Sequence, residues 1–456
     1  MSRVNITDLS SWCSISFSGR SANPLGNGAA LYLNGEPVEH LVIPADVTSI
    51  GTSCFSNCEG LTEVTIPSGV TFIGEDAFGG CPDLKKVNIS SDTTEIMKGA
   101  FSGCKKLTDI TIPDSVTRIG DNAFSGCAAL TEITIPDSVT DIGEYAFAKC
   151  EGLKSVKISS GIKTIPDAAF QGCKELTEVN IPDSVQLIAG GAFSGCTGLT
   201  KLTIPDSVTR ICSYAFSECT SLTEVTLPKS LLHIGYGCFN ECTGLKSLTV
   251  CGNCDVEASN TSPRNYPFYG CTALESVQFG ETAEKIGKRL FSGCESLREI
   301  TIPPTVKIIG EYAFSDCTGL TSLVFQEGPG GIDLYDHAFE NCTGLTEVTL
   351  TRGWTSIGNN AFGSCRNLTD VVVAGSLGSL GEYAFKDSPC QKTMLQPPES
   401  EEGTFVIVDH VLVRYNGTDP KVEIPEGVTC IGPAVFKDCG EITEISIPDG
   451  VRGIGT

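Results

Sequence analysis

Residues 107–129 read LTDITIPDSVTRIGDNAFSGCAA, and residues 130–152, which follow without a gap, read LTEITIPDSVTDIGEYAFAKCEG. A phrase that returns after 23 residues marks a chain built from stacked copies of one small unit, so the repeat is read before any single motif. Copies start at Val38, Leu61, Leu84, Leu107, Leu130, Leu153, Leu176, Leu199, Leu222 and Leu245, and then at Leu274, Leu297, Leu320, Leu345 and Leu368. The unit from Leu245 runs to 29 residues and the unit from Leu320 to 25. Such insertions are expected to bulge from loops without disturbing the stack.

Counting each unit from its Leu, the apolar positions are 1, 4, 6, 10, 13, 17, 18 and 21; in the copy at 107 they are Leu107, Ile110, Ile112, Val116, Ile119, Ala123, Phe124 and Cys127. Apolar 4 and 6 alternate with polar 3 and 5, the period of a strand with one buried face. Position 7 is usually Pro, as at Pro44, Pro67, Pro113, Pro136, Pro182 and Pro205. Pro brings no N–H to a ladder, so it ends the strand. A second short extended piece, VTRI, leads to position 14, usually Gly. Pro166, Ala189 and Cys212 share that column, and Pro cannot take positive φ. The column therefore asks for small size or a turn rather than a left-handed backbone. DNAFSGC then reads as one turn of α- or 3₁₀-helix with Ala and Phe inward.

One unit cannot bury its apolar face alone, but stacked units share a core. The expected fold is a repeat solenoid, curved, with a parallel β-sheet on its concave face and short turns on the convex side. About fifteen units at strand spacing make a sheet on the order of 70 Å long. Sixteen of the 21 Phe fall at position 18, which argues for one continuous core. Residues 1–37 break the pattern and are read as an N-terminal cap. There Asn34-Gly35 suits a two-residue hairpin turn, and CSISF at 13–17 is strand-like. The array occupies 38–390; 391–418 reads as a linker (QPPESEEG, 396–403) and a cap-like hairpin near Asn416-Gly417; 419–456 restarts the repeat. The chain ends within a unit, so a fragment of a longer protein is expected.

The formal net charge is −24. That argues against a nucleic-acid surface, which needs clustered Lys and Arg, and against docking on anionic lipid. No apolar run approaches the length of a membrane span. An acidic surface favours basic partners or cations.

The recurring L-x-x-[IV]-x-[IL]-P, V-x-x-I-G and A-F-x-x-C, in that order over about 38–456, resemble the BspA-like leucine-rich repeats of bacterial and protist surface proteins. The resemblance implies a curved leucine-rich-repeat solenoid. It also implies a non-catalytic protein-binding role at a cell surface or outside the cell, with adhesion to host or matrix proteins. An intracellular interaction scaffold is the alternative, consistent with many unpaired thiols.

Candidate sites follow from the columns. Fifteen of the 23 Cys stand at position 21, from Cys58 to Cys439. They can be read as a disulfide or metal ladder, or as a row of small buried side chains, which free Cys fills well. Parallel stacked side chains do not converge as a disulfide requires, so packing is the preferred reading. Cys251 and Cys254 form a lone CxxC; a redox pair or half a metal site is the weak functional reading, since no second pair or His pair lies near. The four His, at 40, 233, 337 and 410, sit in separate units. No nucleophile elbow, phosphate loop or zinc-protease motif occurs, so no enzyme and no cofactor is expected. The stronger candidate is the solvent side of the strand at positions 3 and 5: Glu63, Asp109, Thr111, Glu132, Thr134, Glu178, Thr203, Glu224, Thr226, Glu299, Thr301 and Glu347. It can be a surface for a basic protein or a loose Ca²⁺ site; equally it can be a solvated sheet with Thr chosen for strand preference. A second candidate is the inserted loop with Arg264, Asn265 and Tyr266, because loops on rigid scaffolds carry specificity.

Overall fold

The computed structural model describes residues 3–256, 266–328, 331–350, 354–373, 377–390, 405–408, 411–415, 417–432, 435–437 and 439–455. The chain divides into two compact units, Met1–Val225 with Gly237–Gly244, and Thr226–Tyr236 with Leu245–Thr456. Each is a curved solenoid of parallel sheets with short turns on the convex side. Among the described residues the only α-helix is Leu9–Cys13.

Each repeat contributes a rung to three ladders. The first is the strand at positions 3 to 5, as in Glu63–Thr65, Lys86–Asn88, Glu132–Thr134 and Lys201–Thr203. Its register moves by one repeat per rung: Glu63 pairs with Lys86, and Lys86 with Asp109. The second is the two-residue strand at positions 12 and 13; Arg118 and Ile119 pair with Glu95 and Ile96 on one side and with Asp141 and Ile142 on the other. Between the two, Pro113 ends the first strand and its carbonyl accepts the Val116 N–H at 3.0 Å.

The third ladder lies in the turn and differs from the helical turn expected there. The N–H groups of Asn122, Phe124 and Gly126 donate to the carbonyls of Glu144, Ala146 and Ala148 in the next repeat, at 2.8, 2.8 and 2.7 Å. The intervening Ala123, Ser125 and Cys127 close three-residue turns onto Gly120, Asn122 and Phe124. A helix would point every N–H along the chain. Here two positions are left-handed: Asn122 has φ 55° and Gly126 φ 76°. Gly suits the second position because left-handed backbone costs it nothing. Even so, Tyr145, Lys149, Tyr214 and Glu218 hold positive φ in these two columns. Hydrogen bonds to the neighbouring repeat over-determine that backbone and sustain its strain.

Position 14 behaves as its composition implies. Gly120 has ordinary φ, but a Cβ there would lie 2.5 Å from the backbone N of Lys98 in the repeat before. Small size is required because two backbones touch.

The core is the same in every copy. Leu107, Val116, Ile119, Ala123, Phe124 and Cys127 are all fully buried. Within each unit the Phe rings stack, from Phe55 to Phe239 in the first and from Phe268 to Phe385 in the second. Neighbouring rings lie nearly parallel, as at 5.2 Å and 6° for Phe124–Phe147 and 5.0 Å and 5° for Phe314–Phe339. That spacing tracks the strand repeat of about 4.8 Å. Offset ring pairs add roughly 0.5–1.5 kcal/mol each beyond the burial of their area. The long unit keeps its place in the stack, with Phe268 5.8 Å from Phe291. After the extra residues of the unit from Leu320, Asp333 and Leu334 pair in unbroken register with Ile308 and Ile309, and a register shift on the other side sets Ile332 against Trp354 and Asp333 against Ser356. Trp354, at position 10 of the following unit, is buried edge-on against Phe325.

At the N-terminus, Arg3–Ile6 pairs in parallel with Ala30–Leu33, which turns back onto Glu36–Pro37. Asn34 and Gly35 have φ 54° and 91°, as the expected hairpin turn requires. CSISF is not a strand. Asp8 caps a helix that ends at Cys13, accepting the Ser11 N–H at 3.0 Å, and this cap outweighs the short alternation that follows. Trp12 Nε1 donates to the Cys54 carbonyl at 3.1 Å, and Arg20 pairs with Asp76 at 2.6 Å, so this segment grips the first two repeats. Residues 391–404, His410 and Asn416 lie outside the described residues. Phe405–Val408 and Val411–Tyr415 pair antiparallel just before Asn416. Leu412, Val422, Val428 and Ile431 share a core cluster with Tyr415 and Val435.

Candidate protein-binding face

On the first ladder the alternation read from the sequence is the observed burial. Val64, Ile110, Ile133, Val179 and Leu202 point inward, while their neighbours at positions 3 and 5 face solvent. Asp109, Thr111, Glu132, Thr134, Glu178, Thr203, Glu224, Thr226, Glu299, Thr301 and Glu347 are exposed, and Glu63 is half-buried. The Thr of other columns are used by the fold. Those at position 2 donate to a carbonyl of the preceding repeat, as Thr62 does to Glu39 at 2.9 Å and Thr200 to Thr177 at 3.1 Å. Thr94 at position 11 does the same to Thr71 at 3.1 Å. Among the described residues, the hydroxyls of Thr111, Thr134, Thr203 and Thr301 take no partner in the protein.

The acids do not stack on one another as a bare column would. In the first unit Lys86 stands between Glu63 and Asp109, 3.6 and 3.8 Å from their carboxylates, and Glu178 faces Lys201. Asn88 donates to Glu63 at 3.0 Å; with Lys86 and His40 it holds the Glu63 carboxyl below the ordinary Glu range. In the second unit Glu347 and Asp370 place two carboxylates side by side in register. Many other Asp serve the backbone. Asp137 accepts the Ser160 N–H at 2.9 Å, which lowers its pKa, and Asp167 accepts that of Gly190 at 2.6 Å. Sequence reading treats these and the face acids as one abundant residue type; only their place in the rung separates them.

The cysteine column is packing with a polar function added. None of the 23 Cys forms a disulfide. Most position-21 thiols donate to the carbonyl of the Phe one repeat back, as Cys127 to Phe101 at 3.3 Å, Cys150 to Phe124 at 3.2 Å and Cys365 to Phe339 at 3.2 Å, while Cys58 in the first unit donates to Glu59 at 3.8 Å. In the unit from Leu368 the column holds Ser388, whose hydroxyl makes the same bond to Phe362 at 2.7 Å. That substitution was visible in the sequence and is the signal for a donor column. Burial pushes the Cys150, Cys196 and Cys365 thiols up to about 12, the reverse of what a reactive cysteine needs. Cys251 and Cys254 likewise form no disulfide; Cys254 is buried and its thiol raised to about 12. Among the described residues no three His, Cys, Asp or Glu come together as a metal site.

Arg264 and Asn265 lie outside the described residues. Tyr266 is buried, and belongs to the position-16 column rather than to an exposed loop. Arg289 sits between its ring and that of Tyr312, at 5.9 and 4.7 Å, and Tyr312 stacks on His337 at 4.4 Å. His337 pairs with Glu340 at 2.9 Å. The other tyrosines of this column, Tyr145, Tyr214 and Tyr383, are exposed on the turn side. Among the described residues no helix is long and apolar enough to cross a membrane.

Comparison with known proteins fits this geometry. Residues 28–154, 140–260, 261–392 and 415–456 match the family described as BspA type leucine rich repeat region. The chain belongs to the BspA-type leucine-rich-repeat family. A leucine-rich repeat protein of Bacteroides ovatus is 27% identical over 76% of this chain and 90% of its own, with a TM-score of 0.56. A leucine rich cell surface protein of Faecalibacterium prausnitzii is 32% identical over 63% of this chain and 88% of its own, with a TM-score of 0.39. No curated protein sequence matches. BspA-type arrays, like other leucine-rich-repeat solenoids, are scaffolds for binding other proteins rather than for catalysis; stacking leaves an extended concave surface and no pocket of converging reactive groups.

Proposed function

We propose that this BspA-type chain is a non-catalytic binding protein of the cell surface or exterior that adheres to host or matrix proteins through its strand face. The observation that carries this reading is the division of labour at positions 3 and 5. Thr111, Thr134, Thr203 and Thr301 keep hydroxyls that the fold does not use, beside exposed Glu132, Glu178 and Glu299. Side chains free of structural duty on a rigid sheet cost little entropy to engage. The net charge of −24 favours basic partner surfaces, and it speeds encounter with them at low salt.

Immobilised full chain is compared with two charge-reversed forms, Glu132→Lys/Glu178→Lys/Glu224→Lys and Glu299→Lys/Glu347→Lys/Asp370→Lys, for retention of extracellular-matrix proteins. Equal retention by all three defeats the strand-face reading. A second reading, an interaction scaffold inside the cell, is favoured by 23 Cys that form no disulfide. Protease shaving of intact source cells separates the two: a surface protein is cleaved, an internal one survives.

A further inference from the structure

The strand face is not uniform. In the first unit position 5 carries Thr65, Asn88, Thr111, Thr134, Lys157, Asn180 and Thr203, polar throughout after Val42 at the edge, and position 3 mixes five acids with Lys86 and Lys201. The second unit differs in three ways. Its strands up to residue 373 are longer: Ser247–Val250, Ser276–Phe279, Glu299–Ile302, Ser322–Phe325, Glu347–Leu350 and Asp370–Val373 have four residues each and pair in unbroken succession. Positions 3 and 5 of those six strands hold no Lys or Arg. And Val324 and Val372 are each 47% exposed at position 5, in register with Thr349 between them.

We infer that this face, from Ser276–Phe279 to Asp370–Val373, docks a cationic protein segment that carries small aliphatic side chains between its Lys or Arg residues. The inference rests on the strand-face reading above and names the partner's chemistry. Single exposed apolar residues are ordinary. Two valines flanking the methyl of Thr349, on the outside of a sheet, form a continuous apolar strip at strand spacing. Glu299, Glu347 and Asp370 lie one pleat away on the same face. Glu347 and Asp370 are in register with each other, and like charges directly opposite on neighbouring strands repel. A cation laid between them relieves that repulsion, whereas in the first unit Lys86 already does so for Glu63 and Asp109. Lys246 and Arg298 stand one residue before their strands, which directs the partner's cations towards the Glu347–Asp370 end. An acidic partner meets repulsion, and a purely cationic one leaves the valines wet.

The test uses the full chain and three labelled peptides, alternating Lys–Val, Lys–Ser and Glu–Val, followed by fluorescence anisotropy at low salt. The Lys–Val peptide binds and Glu–Val does not; Lys–Ser binds about tenfold more weakly, a difference of the size that a lost apolar contact gives. Val324→Ser/Val372→Ser brings Lys–Val down to the Lys–Ser level. Glu347→Gln/Asp370→Gln weakens Lys–Val about tenfold, as expected of paired interfacial charges, Glu132→Gln/Glu178→Gln in the first unit weakens it less, and Glu144→Gln, exposed on the turn side, leaves it unchanged. All these side chains are exposed, so unchanged melting curves verify the fold of every variant. Absence of Lys–Val binding, or equal binding of Lys–Val and Lys–Ser, overturns the inference. A loss confined to the first-unit variant also overturns it while leaving the strand-face reading standing. Binding that ignores both pairs removes both.

Discussion

The turn side and the strand side of each repeat face opposite demands. On the turn side the copies agree almost letter for letter: Ala, Phe and Cys recur at 17, 18 and 21 and are buried in copy after copy. On the strand side positions 4 and 6 agree, but 3 and 5 change from copy to copy, from Glu63 to Lys86 to Asp109. A stack tolerates no odd shape inside, because each ring packs on two others. It tolerates any charge outside, because water takes up the difference. Repetition therefore marks packing and variation marks the surface open to partners. Each prediction below strikes one side and uses the other as its control.

The largest effect is alkaline. Buried thiols resist ionisation: Cys58, Cys150, Cys196 and Cys365 are raised to about 12, and Cys81, Cys127 and Cys173 well above their ordinary value. In the unfolded chain the same thiols ionise near about 8.5. A folded pKa above the unfolded one means stability is fully present below the unfolded value and lost as pH rises towards the folded one. Each thiol withdraws about 1.4 kcal/mol per pH unit in that window. A handful exceeds the 5–15 kcal/mol of a typical domain, so unfolding is expected between roughly pH 9 and 11. Circular dichroism against pH measures it. Replacing Cys127, Cys150 and Cys173 by Ser moves the midpoint upward; Glu132→Gln/Glu178→Gln on the strand side does not.

Next in size is the ring stack. Phe193 is fully buried between Phe170 and Phe216, at 5.3 and 5.4 Å. Phe193→Ala is expected to cost about 3–5 kcal/mol, the range for deleting a buried aromatic. Since a repeat array passes stability between neighbours, hydrogen exchange should rise in the flanking repeats before the rest. Loss spread evenly along the chain would contradict nearest-neighbour stacking.

How far these contrasts were legible depends on what each column encodes. The Phe stack, the alternating strand and the inward Cys follow from spacing alone, because burial selects residue type. The turn ladder does not. Its left-handed positions hold Asn122 and Gly126 in one copy but Tyr145 and Lys149 in the next, and no residue preference survives when the neighbouring repeat supplies the restraint. Tyr266 was misplaced for a related reason: the insertion before it hides that it occupies column 16. At the start of the chain, Asp8 and Ser11 carried a capping signal that the alternation of CSISF obscured. On the candidate face, positions 3 and 5 were legible as exposed. Their electrostatics were not, since Lys86 neutralises two acids through register rather than through sequence proximity.

A smaller effect tests the thiol as donor. Cys127→Ser keeps a hydroxyl where Ser388 already proves that oxygen can bond the Phe carbonyl; a change under about 1 kcal/mol is expected. Cys127→Ala removes both donor and volume and should cost about 1–2 kcal/mol. Denaturant unfolding gives the order of the two. If Ala equals Ser, the column is volume alone.

The smallest effect belongs to the strand side. Lys86→Ala removes exposed pairs with Glu63 and Asp109, and exposed ion pairs are worth at most about 1 kcal/mol. It leaves two carboxylates two rungs apart without their shared cation, a milder case than Glu347 and Asp370, which are directly in register. The melting temperature should fall slightly at low salt and recover at high salt, because screening acts on exposed charges. If Lys86→Ala also brings Lys–Val peptide binding to the first unit, charge register and not strand length sets where partners dock.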